Sequence, residues 1–97
     1  EAFIKLKTVK NIKFKIALIK IDVNGHEFSV VKGLYNVIKK NKPALIIETD
    51  INIKKIEKLL KRLNYKKYSF SNVNKKFENI QKSYPLNTYF LQKSHLK

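Results

Sequence analysis

The chain has 97 residues, enough for one small domain and no more. Hydrophobic residues make up 43% of it, which excludes disorder along its whole length, and no apolar run approaches the ~18–20 residues of a membrane span. The absence of Cys excludes a disulfide framework or thiolate metal site, and together with the lack of a signal-like apolar segment it points to a cytoplasmic protein.

The formal charge is +15. All basic residues but Arg62 are Lys, and they are spread along the whole chain. Lys, Asn and Ile together form roughly two-fifths of the sequence, the signature of an AT-rich genome. Sites that read bases or clamp phosphates favour the bidentate fork of Arg. The charge is therefore read as codon bias, which argues against a nucleic-acid partner. A basic module for nucleic acid or an anionic surface is the alternative reading. The chain also contains no Met, and Glu1-Ala2-Phe3 runs straight into a strand-like pattern, so a truncated start is expected.

In chain order, Ile4, Leu6 and Thr8 alternate with Lys5 and Lys7 as in a half-buried strand. Ala17 to Val23 is nearly continuously apolar, like a strand covered on both faces, and Asn24-Gly25 then signals a turn. Val30, Val31, Leu34, Val37 and Ile38 mark one helix face, closed by Lys39-Lys40 and stopped by Asn41 and Pro43. Gly33 interrupts that helix, either tolerated or placed for close packing on a sheet.

Pro43 to Glu48 is a second apolar strand ending on a carboxylate. Ile53, Ile56, Leu59, Leu60 and Leu63 form a further amphipathic helix, with Glu57 on its outer face and Asn64 as its stop. Tyr65 to Phe70 reads as a strand. Ser71 to Asn87 reads as a long loop with a helical turn near Phe77 to Ile80. Thr88 to Leu91 is a last strand, expected to return antiparallel beside Tyr65 to Phe70. Phe28, Phe70 and Phe90 are assigned to the core. The alternation predicts an α/β fold: an incomplete doubly wound, mainly parallel sheet with helices on both faces.

Ligands of open α/β sheets bind outside the carboxyl ends of the strands. Asp22 and Glu48 both lie there, and neighbouring strands would bring them within one or two spacings of ~4.8 Å. Such a pair could bind a hard cation, supply a general base, or simply meet solvent. His26, just before the helix, is a candidate base or an ordinary surface residue, while Glu27 suits the positive end of the helix dipole. His95 is expected to fray with the terminus. With two Gly in the chain, no glycine-rich nucleotide loop exists.

The segment Leu18 to Gly33, LIKIDVNGHEFSVVKG, resembles the signature of FkbM-type methyltransferases, L-I-K-I-D-V-E-G-x-E-x-x-V-L-K-G. Lys20, Asp22, Gly25, Glu27, Lys32 and Gly33 agree with it, and Asn24 replaces an acidic residue. Pro43 to Glu48 resembles the following P-x-x-I-x-E, and Asn87 to Leu91 the late N-x-Y-F-L. The resemblance spans Thr8 to Leu91. It implies a partial Rossmann-like, class I methyltransferase sheet lacking its first three strands, with residues 1–97 as the C-terminal half of one domain. It implies S-adenosylmethionine as cofactor, with the elements that hold it missing from this chain, and O-methylation of a sugar or other small hydroxylated acceptor. Asp22 and Glu48 would line the acceptor side, and His26 completes the candidate catalytic set. The chain alone is expected to be inactive, and a separately encoded N-terminal half is a conceivable partner.

Overall fold

A computed structural model describes residues 16–80 and 84–96. The strand expected at Ile4 to Thr8 lies outside them. The described elements are β1 (Leu18–Ile21), α1 (Glu27–Gly33), α2 (Tyr35–Asn41), β2 (Ala44–Glu48), α3 (Ile53–Lys61), β3 (Lys66–Ser71), β4 (Lys76–Asn79) and β5 (Asn87–Leu91), followed by a 3-10 turn at Lys93–Leu96. No described helix is long and apolar enough to cross a membrane.

The strands form one mixed sheet in the order β1-β2-β5-β3-β4. β1 and β2 are parallel, with Ile19 opposite Leu45 and Ile21 opposite Ile47. β5 returns antiparallel beside β3, as expected, and also inserts against β2, where Glu48 faces Asn87. This α/β arrangement is compatible with a partial Rossmann-like sheet.

The period-2 alternation of strands decides which side chains are buried. Ile19, Ile21, Leu45, Ile47 and Phe90 pack in one core with Val31, Leu34 and Ile38 of the first two helices and with Ile53, Ile56 and Leu60 of α3. Each such aliphatic side chain contributes roughly 1.5–3 kcal/mol by leaving water. Because α1 and α3 touch each other and share that core, the helices cover one sheet face among the described residues, not both as expected. Leu18, Lys20 and Ile46, on the other face, are only partly buried.

Four further expectations change. The single helix expected across Val30 to Ile38 is two helices that meet at Leu34. Gly33, exposed, is the last residue of α1. The loop after Ser71 contains strand β4, which forms a hairpin with β3. Phe70 and Phe77 face each other across it at 5.1 Å and leave Phe70 38% exposed, outside the core. His95 is held in place: the Gln92 N–H donates to its Nδ1 at 2.9 Å, so Nε2 donates to the Lys42 carbonyl, also at 2.9 Å. Its ring stacks on Tyr65, whose buried hydroxyl donates to the Pro43 carbonyl at 2.5 Å. Burial pushes the Tyr65 phenol above its usual range.

Candidate active site

The site begins with a turn that Asn and Gly make possible. After β1 the chain reverses through Asn24 at φ 45° and Gly25 at φ 94°, both in the left-handed half of backbone space. Gly occupies that region freely, and Asn is one of the few other residues enriched there, which accounts for an Asn at position 24. The turn brings Glu27, the first residue of α1, back beneath the loop. The Val23 N–H donates to Glu27 Oε2 at 3.0 Å and the Gly25 N–H to Oε1 at 2.9 Å. Glu27 is fully buried. Burial raises its pKa, but its own backbone N–H and those of Val23 and Gly25, with the Asp50 carboxyl, outweigh burial and hold it below the usual value.

Parallel pairing of β1 and β2 puts Asp22 and Glu48 side by side at the carboxyl end of the sheet. One carboxylate oxygen from each of Asp22, Glu27 and Glu48 lies within 4.8 Å of the others. Asp22 raises the pKa of Glu48, first through a shared hydrogen bond and then by direct repulsion. Asp50 joins from the loop after β2. Its Oδ1 accepts the Asn52 N–H at 2.7 Å, while Oδ2 is buried with no hydrogen-bond donor in reach. Burial, then the neighbouring Glu27 carboxyl, raises Asp50. Four of the chain's seven carboxylates thus gather at one end of a strongly basic protein.

The four have different work available to them. Both oxygens of Glu27 are already occupied by backbone N–H groups, so it shapes the loop. Asp22 is exposed and Glu48 partly so, and these two are accessible to a ligand. A pair in which one carboxyl holds the proton and the other accepts one can orient and deprotonate a hydroxyl, and two such oxygens can also bind a hard cation alongside water. His26 sits at the start of α1, exposed and without a side-chain capping bond, and among the described residues it makes no hydrogen bond or ion pair with the carboxylates. Sequence reasoning missed Glu27 and Asp50 as members of the cluster. The signal for Glu27 was its place two residues after the Asn-Gly turn, from which a first-turn carboxylate can reach back to loop N–H groups.

Ligands of open α/β sheets bind outside the carboxyl ends of the strands, the end at which this domain gathers its carboxylates. A family model described as the methyltransferase FkbM domain matches residues 5–70. The chain belongs to that methyltransferase family. A search of curated proteins finds no match, and neither does a search of solved structures.

Proposed function

We infer that this chain forms the acceptor side of an S-adenosylmethionine-dependent O-methyltransferase that acts on a sugar or another small hydroxylated molecule. The observation that carries the reading is the paired Asp22 and Glu48 carboxyls at the carboxyl end of β1 and β2, in a member of the FkbM methyltransferase family. Methyl transfer to oxygen requires the acceptor hydroxyl to lose its proton. Asp22 raises the pKa of Glu48, so Glu48 is the member of the pair that takes a proton more readily and, when protonated, can donate a hydrogen bond to the acceptor oxygen. Asp22, exposed beside it, is the carboxylate to which the hydroxyl proton passes. Glu27 and Gly25 fix the loop that carries Asp22.

The cofactor supplies the methyl group when bound. The residues described here do not make a cradle for it: the only glycines are Gly25 and Gly33, and neither lies in a Gly-x-Gly turn. The donor site on this reading is built by residues other than those described. Calorimetric titration tests both halves of the proposal. Monosaccharides should give weak saturable heat that Asp22→Asn abolishes, and S-adenosylmethionine should give none. Saturable micromolar binding of S-adenosylmethionine would overturn the placement of the donor site, and heat from monosaccharides that Asp22→Asn leaves intact would overturn the acceptor site.

A further inference from the structure

The pole opposite the carboxylates is a basic groove. A cavity of about 1500 Å³ opens where β3 begins and β5 ends, between the carboxyl-terminal ends of α2 and α3 and the closing 3-10 turn. Its rim carries Lys39, Lys42, Lys61, Arg62, Lys66 and Lys93, all exposed. The one carboxylate in its wall, Glu57, is already engaged: Lys67 Nζ bridges to it at 3.0 Å, and the Tyr84 hydroxyl donates to it. Among the described residues, none of the six rim cations has a carboxylate within ion-pair distance.

Lysines dispersed in sequence thus line one groove, while four of the seven carboxylates collect at the other pole. Helix ends account for Lys39 and Lys61, which sit in the last turns of α2 and α3 where a cation is favoured. They do not account for Lys66, on β3, or Lys93, on the 3-10 turn. Glu57 offsets part of the charge at Lys61, but the remaining like charges repel, and an anion filling the groove would relieve that repulsion.

The shape and lining narrow the anion. The cavity exceeds the ~300–1000 Å³ usual for small-molecule sites, so it suits a segment of a polymer. It is concave, so a flat bilayer would meet only its rim. Its aromatic residues, Tyr65 and Tyr68, are buried and offer no stacking platform for bases. With one Arg among the six, it lacks the forks that read base edges or clamp phosphates bidentately, and its lysines would meet a phosphate backbone as point charges. We propose that this groove binds single-stranded nucleic acid through its phosphates, without regard to sequence.

The test uses the whole 97-residue chain and a fluorescein-labelled thymidine oligonucleotide, with anisotropy followed against salt. Six phosphate contacts on a single strand give a slope of log affinity against log salt of about −4, and so roughly a 300-fold loss between ~50 and ~200 mM salt. Combined Lys42→Gln, Arg62→Gln, Lys66→Gln and Lys93→Gln should reduce that slope to about −1.4. A charge-matched control, Lys54→Gln, Lys58→Gln, Lys75→Gln and Lys76→Gln, alters exposed positions outside the groove and should leave the slope near the wild-type value. Equal losses in the two variants would mean that net charge alone drives binding, and would overturn the proposal. So would absence of binding at the lower salt, or binding to phosphatidylglycerol vesicles but not to the oligonucleotide. Backbone chemical-shift mapping on the wild type provides a readout independent of the variants: shifts should centre on residues 61–67 and 91–96, and shifts centred elsewhere would also overturn it.

Discussion

Replacing Glu27 should unravel the candidate site from below. Its carboxylate takes two backbone N–H groups, at 3.0 and 2.9 Å, and hydrogen bonds to a charged group are worth about 1.5–3 kcal/mol each. Val23 and Gly25 are exposed, so water can recover part of that loss once the carboxylate is gone. Glu27→Ala should then cost roughly 2–4 kcal/mol, below the simple sum of two such bonds. Glu27→Gln keeps one acceptor oxygen but turns an NH₂ toward the second N–H, and should cost roughly 1–3 kcal/mol. In a domain of this size each kcal/mol moves Tm by about 4–8 °C, so thermal melts at neutral pH should separate wild type, Gln and Ala in that order. The pH dependence has a definite sign. The folded value of Glu27 is depressed, so its contribution is present above the ordinary Glu range and is lost as pH falls through the folded value. A Glu27→Ala variant that melts within about 2 °C of wild type would show that the carboxylate does not hold the loop.

Gly25→Ala should destabilise by about 1–2 kcal/mol in urea denaturation. A Cβ there meets nothing within 4 Å, so the cost is that of the left-handed backbone at φ 94°, and Gly25→Asn should cost less than Ala. Tyr65→Phe should cost about 1–3 kcal/mol, because it leaves the Pro43 carbonyl without the buried phenol that donates to it; a loss below about 0.5 kcal/mol would mean water takes the place of the hydroxyl. Glu48 and Asp50 have raised values, so their ionisation opposes folding. Stability should rise as pH falls from neutral through those raised values, then decline as Glu27 and Glu57 titrate below the ordinary range. Asp22→Asn should move the Glu48 carboxyl back toward its ordinary value, read by carbon-13 shift against pH; an unchanged titration would refute the pairing.

The parallel pair β1 and β2 and the amphipathic α3 were legible in the sequence because burial imposes a period on each: continuous apolar runs for inner strands, three- and four-residue steps for the helix. Asp22 and Glu48 were legible for the same reason, as carboxylates ending apolar runs. The β4 strand was not, because Lys76 to Asn79 lies at the sheet edge and presents no apolar alternation of its own; it is held by pairing with β3. Helix sidedness was equally hidden, since periodicity gives the buried stripe of a helix but not the sheet face it meets. Glu27 looked like an ordinary first-turn acid, and its burial depends on Asn24 and Gly25 turning the chain back over it. His95 looked like a frayed end because its anchor, the Lys42 carbonyl, is 53 residues away in the chain. The basic groove is the same kind of miss, as its cations come from α2, α3, β3 and the closing turn.

On the proposed function, the carboxyl end of β1 and β2 receives a hydroxylated acceptor. The most direct measurement is a nitrogen-15 chemical-shift titration of the chain with monosaccharides, beside the same titration of Asp22→Asn. Shifts should concentrate at residues 22–27 and 48–50 in the wild type and be strongly reduced in the variant. Shifts that scatter over the surface, or that persist undiminished in Asp22→Asn, would contradict it.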